Sequence, residues 1–236
     1  MESKNNLKQL LQMKNSTTIS VDFYIYGDIV SAEWGAWDSE DTYPLEIRNF
    51  LDEANGRDVN IYINSGGGSV FAGLAIANML KRYDGKTRSY IDGLCGSIAT
   101  IIALSCDEKY IADNALFMYH QACGGLYIWG NANHLSTEVD GYVKSLNAVN
   151  ISLVDTYKQN LTDESHLQTI QDNMDSGNDT WLTADETVGF FNIQKTESKE
   201  LVAYAESNVY NKETAPKKLF QKLEKPNLTN VYMFDF

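Results

Sequence analysis

At 236 residues the chain is long enough for one sizeable domain, and its 43% hydrophobic content supplies a core for it. No run of about 18 apolar residues occurs, so the sequence predicts no membrane-spanning helix. A formal charge of −13 argues against a nucleic-acid surface, which would be basic. Cys95, Cys106 and Cys123 are an odd set without metal-type spacing, which predicts reduced thiols, no disulfide framework and no metal. Residues 1–6 lack the apolar stretch of a signal peptide, so a cytoplasmic location is expected.

Residues 1–20 are polar around Leu7, Leu10 and Leu11 and read as an N-terminal arm, mobile or in contact with another subunit. Residues 21–29 are rich in Val, Ile, Tyr and Phe and predict a strand. A loop over 31–41 holds Trp34 and Trp37, and the spacing of Leu45, Ile47, Phe50 and Leu51 predicts a helix over 44–54. A short buried strand over 59–63 ends in the run Asn64-Ser65-Gly66-Gly67-Gly68-Ser69, and a helix follows over 70–83. A strand over 87–91, a helix over 97–105, and strands over 109–112 and 116–119 come next. Tight strand-to-helix turns of this kind are the rhythm of β-α units covering a sheet.

Leu135, Val139, Tyr142, Leu146, Val149, Leu153 and Tyr157 then recur at steps of three and four, one long amphipathic helix over about 134–158. Its stripe is open to two readings, burial on its own domain or burial against another subunit. Trp34, Trp37 and Trp129 read as core or subunit interface rather than as a docking site. Beyond about residue 195 the pattern breaks. The tail over 196–236 is locally basic at Lys212, Lys217, Lys218, Lys222 and Lys225, and ends in Val231-Tyr232-Met233-Phe234-Asp235-Phe236. It is either disordered, or a segment that docks on a neighbour or is trimmed.

Ser97 follows Gly93-Leu94-Cys95-Gly96 and opens an apolar stretch; His120 follows Met118-Tyr119. A nucleophile, a base and a glycine loop with free N–H groups are what acyl transfer needs. Each piece also has a plainer reading. A serine before an apolar helix serves as an N-cap. A glycine run after a strand serves as a turn, and no Gly-Lys-Ser/Thr follows to make it a phosphate cradle. His134 and His166 sit in polar stretches and read as structural. Nothing sets Cys123 at a helix start, as a thiol nucleophile would prefer.

The segment 64–73, then Gly96-Ser97, then Met118-Tyr119-His120-Gln121, in that order and followed by a long helix, resembles the proteolytic subunit of the Clp protease (ClpP) family. The resemblance covers residues 21–194, roughly three quarters of the chain. It implies an α/β, ClpP/crotonase-like fold of repeated β-β-α units with a protruding long helix, spanning 21–195. It implies Ser97 as nucleophile and His120 as general base of a serine endopeptidase. The acid should precede an aromatic residue and a helix start; Asp179 before Thr180-Trp181 fits, with Asp175 a rival. The oxyanion hole would use the N–H groups of Gly68 and Ile98, with Gly67 shaping the turn. No cofactor is implied. The substrates would be polypeptides, and the assembly a homo-oligomeric ring, heptameric and stacked into a tetradecamer through the long helices.

The chain departs from the family at Gly66 and Ala122, where many members carry proline, and at Cys95-Gly96, where many carry alanine. These departures, and the style of the acid segment, are similar to the phage and prophage head-maturation (prohead) proteases. Capsid and scaffold proteins would then be partners. The alternatives are a housekeeping subunit fed by an AAA+ ATPase, a crotonase-type acyl-CoA enzyme, and a catalytically dead ring.

Overall fold

Alternation of apolar and polar side chains sets the sheet. The computed structural model describes residues 20–196; residues 1–19 of the expected arm and 197–236 of the expected tail, with their leucine, lysine and aromatic positions, lie outside the described residues. In chain order the elements are β1 (Ser20–Ile25), α1 (Pro44–Ala54), β2 (Asp58–Ser65), α2 (Val70–Lys81), β3 (Thr87–Gly96), α3 (Ile98–Leu104), β4 (Glu108–Ile111), β5 (Leu116–Tyr119), α4 (Ala132–Lys158), α5 (His166–Asp175), β6 (Thr180–Thr183), α6 (Ala184–Phe190) and β7 (Gln194–Lys195). The sheet runs β1-β2-β3-β4-β7, every neighbouring pair parallel. The second half of β3 pairs with β5, and β5 pairs antiparallel with β6. This is the α/β architecture that the sequence predicts, here with a parallel-dominated sheet.

One face of the sheet is the core. Val21, Phe23 and Ile25 of β1, Val59, Ile61 and Ile63 of β2, and Ile91 of β3 are buried. Burial of each such aliphatic side chain is worth about 1.5–3 kcal/mol. α1 buries Ile47, Phe50, Leu51 and Ala54, one stripe at helical spacing. Its start is fixed by Pro44 at the first helical turn. Every residue of α3 is buried, which places this short helix at the centre of the core. On the other face Tyr24, Tyr62, Tyr90 and Tyr110 sit in register on four strands and stack, with ring centroids 4.8, 5.1 and 5.0 Å apart.

Several elements differ from their predicted spans. β1 ends at Ile25 instead of residue 29, because the chain turns so that Ile29 bridges both Thr42 and Gly68. β3 runs on past Ile91 to Gly96. Asn64 lies across Gly93: a Cβ there would lie 2.6 Å from Asn64 Oδ1, the end of a side chain that would have to swing aside. α5 is a further helix, anchored by buried Ile170 and Met174 in an otherwise polar segment. Trp34, Trp37 and Trp129 are 86%, 96% and 88% exposed, so they are not core of this chain.

The long helix answers its two readings in two halves. Leu153, Thr156 and Tyr157 near its C-terminus are buried on the domain. From Ala132 to Ile151 no residue is buried, and Val139, Val143 and Ile151 stand exposed. Among the described residues no helix is long and apolar enough to cross a membrane.

Candidate active site

Three parallel strand ends meet at one point. β2 delivers the glycine run, β3 delivers Ser97 and β5 delivers His120; Ser65 pairs with Cys95, and Gly96 with Met118. Clefts at the carboxyl ends of parallel strands are where open α/β sheets hold their ligands.

Ser97 is the turn between β3 and α3. Its φ of 53° and ψ of −127° lie where a non-glycine residue is strained, at a cost of about 1–3 kcal/mol. Both flanking peptides are pinned. The Ser97 N–H donates to Met118 O at 2.8 Å, and the Ser97 carbonyl accepts from the Thr100 hydroxyl at 2.5 Å and from the Thr100 N–H at 3.0 Å. The Ser97 side chain makes no cap hydrogen bond to α3. Its Oγ lies 2.8 Å from His120 Nε2 instead.

His120 Nδ1 faces Asp179 Oδ1 at 3.4 Å. The β5/β6 register pairs Tyr119 with Thr180, so one step further along the antiparallel pair residue 120 stands opposite residue 179. Asp179 is 53% exposed, whereas His120 is 21% exposed. Asp175 is the last residue of α5 and makes no ion pair with His120 among the described residues. In the tautomer that puts the proton on Nδ1, toward the carboxylate, Nε2 would be the nitrogen able to accept from Ser97 Oγ.

The glycine run lies against the serine. Ser65 Oγ donates to Gly27 O at 2.6 Å and accepts the Gly67 N–H at 3.1 Å. Ile29 brackets the loop, its N–H donating to Gly67 O at 2.8 Å and its carbonyl accepting the Ser69 N–H at 2.7 Å. Gly67 has φ 104°, and a Cβ there would lie 2.7 Å from Ser97 Cβ; Gly68 has φ 140°, and a Cβ there would lie 2.2 Å from Ile29 O. No carbonyl among the described residues accepts the Gly68 or Ile98 N–H. Gly66 has open space where a side chain would go, so the loop is held by Ser65 and Ile29 rather than by residue 66.

A cavity of about 40 Å³ adjoins Ser97 and His120, lined by Gly68, Val70, Ile98, Ala122, Leu153 and Tyr157 among others. Exposed Cys123 also borders it, in a coil segment away from any helix start. Cys95 and Cys106 are buried, and burial pushes the Cys106 thiol up to about 12 and the Cys95 thiol higher still, so neither is a thiolate. His134 faces Glu138 on the outer part of α4, and His166 packs on Phe190 at 4.7 Å; neither approaches Ser97. Among the described residues no group of three or more His, Cys, Asp or Glu side chains is placed to hold a metal.

Three contributors escaped the sequence reading. Asn150 of α4 accepts the Ala122 N–H at 2.7 Å and so holds the segment after His120. Thr100 and Tyr157, the latter on the apolar stripe of the long helix, join hydroxyls at 2.9 Å beneath Ser97. Helical spacing marks such residues as inward-facing but does not say what their polar atoms meet.

Comparison with known proteins adds to this geometry. Residues 47–195 match the family model described as Clp protease. The ATP-dependent Clp protease proteolytic subunit of Streptococcus thermophilus is 29% identical over 144 residues, covering 60% of this chain and 69% of that protein. The same subunit from Streptococcus gordonii is 29% identical over 144 residues, with the same 60% and 69% coverage. Among solved structures, a ClpP1 mutant from Listeria monocytogenes aligns with a TM-score of 0.60 at 19% identity, covering 82% of this chain and 97% of that one. That last likeness is one of fold.

Proposed function

The chain belongs to the Clp protease family, and from that premise we propose that it is a serine endopeptidase working through Ser97, His120 and Asp179. The observation that carries this reading is the 2.8 Å approach of His120 Nε2 to a Ser97 hydroxyl that caps nothing. His120 takes the Ser97 proton as Oγ attacks the substrate carbonyl carbon. Asp179 keeps the imidazole in the required tautomer and stabilises the imidazolium. The Gly68 and Ile98 N–H groups receive the oxyanion, Gly67 giving the turn its shape; each donor is worth about 3–4 kcal/mol of barrier. His120 then protonates the leaving amine. A water, deprotonated by the same imidazole, hydrolyses the acyl-enzyme and frees Ser97.

The substrates in this reading are polypeptides, and the working form is a homo-oligomeric ring, heptameric or stacked as a tetradecamer. The unburied outer half of α4, with Val139, Val143 and Ile151 exposed, supports burial of that half against another copy. For the setting we propose head maturation in a phage or prophage, acting in the host cytoplasm on capsid or scaffold proteins. Gly66 and Ala122, in place of the family prolines, support it. The housekeeping role is the second reading, favoured by the relatives, which are named as subunits of ATP-dependent proteases.

The chemistry is tested by incubating the purified protein with a fluorophosphonate and locating the adduct by mass spectrometry. The adduct is expected on Ser97 and absent from Ser97→Ala; label on Cys123, or none on the assembled protein, would refute the assignment. The setting is tested by degradation of an unfolded protein with and without a Clp-type unfoldase and ATP. Head maturation predicts cleavage unaided, and the housekeeping role predicts dependence on the unfoldase.

A further inference from the structure

The peptide that joins Ser97 to Ile98 has two ends. Its N–H belongs to Ile98, one of the two donors assigned to the oxyanion. Its carbonyl is Ser97 O, which points the opposite way because the peptide is planar and trans. That carbonyl accepts the Thr100 hydroxyl at 2.5 Å and the Thr100 N–H at 3.0 Å. A threonine hydroxyl has one hydrogen, and here it is committed to Ser97 O. The Tyr157 hydroxyl, 2.9 Å from Thr100 Oγ1, is therefore the donor in their contact. The chain of donation runs from Tyr157 to Thr100 to Ser97 O. Thr100 and Tyr157 are 0% and 1% exposed, so water does not compete for these bonds.

Resting on the reading of Ser97 as nucleophile, we propose that Thr100 and Tyr157 are positioning residues that fix the Ser97–Ile98 peptide and so aim the Ile98 N–H at the oxyanion. Two physical effects act together. The strained backbone at Ser97 would relax by rotating this peptide, and hydrogen bonds on its carbonyl oppose that rotation. A peptide whose carbonyl accepts hydrogen bonds is also polarised, which strengthens its N–H as a donor. Tyr157 belongs to the buried end of α4, so the seating of the long helix and the aim of the oxyanion donor are linked through one hydroxyl. The Tyr157 ring borders the cavity, a contact that phenylalanine would keep.

The test is the phosphonylation of Ser97 by a fluorophosphonate, resolved into kinact and KI, since the phosphoryl oxygen occupies the oxyanion position. Tyr157→Phe should lower kinact about tenfold and Thr100→Val about thirtyfold, each with KI within about twofold of wild type. Thr100→Ser, which keeps the hydroxyl, should restore kinact, and the Thr100→Val/Tyr157→Phe pair should be no slower than Thr100→Val alone. Thermal unfolding is followed in parallel; should Thr100→Val not fold, Tyr157→Phe and Thr100→Ser carry the test. Folded Tyr157→Phe reacting at the wild-type kinact, or Thr100→Ser as slow as Thr100→Val, would overturn the positioning role. A wild-type protein that takes no label at all would overturn the serine-hydrolase reading itself, and this inference with it.

Discussion

The two sides of His120 are built differently. On its Nε2 side, Ser97 and the glycine run are held by parallel strand ends, with the loop bracketed by Ile29 and Ser65. On its Nδ1 side, Asp179 stands half-exposed at the end of a four-residue strand, 3.4 Å away. The Ser97 side is over-determined by hydrogen bonds that pin its backbone and the glycine run, although Gly66 and Gly68 themselves are exposed. The Asp179 side is set by a cross-strand register and is open to water. Substitutions should therefore be felt most on the side with the most constraints.

The largest effect is expected from Gly68→Ala. Its Cβ would collide with Ile29 O in a left-handed backbone region, displacing the loop and the N–H proposed to receive the oxyanion. A loss of about a thousandfold in kcat is expected, measured on a peptide substrate with the fold verified by circular dichroism. Asp179→Asn comes next, at about a hundredfold, below the roughly ten-thousandfold of a buried triad acid because solvent already shares this carboxylate. Asp175→Asn should leave kcat unchanged, and equal losses in both variants would erase the contrast between the two carboxylates. Gly66→Ala should stay within about twofold, since open space receives its methyl group and neighbouring residues hold the loop.

The smallest effect concerns the strand that follows Asp179. Glu186 accepts the Thr183 N–H and hydroxyl in a capping box that joins β6 to α6, and these bonds, the backbone one first, hold its carboxyl below the ordinary range. A lowered folded-state value contributes stability above the ordinary carboxylate range and loses it as pH falls through the lowered value. Glu186→Ala should thus unfold at a lower temperature than wild type at pH 7, with the gap closing in acid. A gap independent of pH would assign the effect to helix propensity instead.

These contrasts also explain what could be read from sequence. The helix over 44–54 was legible to its ends because its apolar stripe and its proline act locally. The order of the glycine run, Ser97 and His120 was legible because each motif stands next to a strand end. The extension of β3 was not, since glycine at 93 reads as a breaker until Asn64 is seen lying across it. α5 was missed although Leu167, Ile170 and Met174 stand at helical spacing, because three apolar residues in a polar segment are a short signal. The partnership of Asp179 with His120 depends on a non-local register that local spacing does not encode. The hydroxyls of Thr100 and Tyr157 were invisible for the same reason: 57 positions separate them.

The stacked tyrosines have a consequence of their own. Four phenols in near-parallel contact across four strands form a coupled chromophore, and burial with nearby acidic groups pushes the Tyr62 hydroxyl up to about 12. Slipping any one strand by a single residue would send its ring to the opposite face and break the coupling. The sheet thus carries its own optical gauge of strand alignment, in near-ultraviolet circular dichroism, on the face turned away from the core helices.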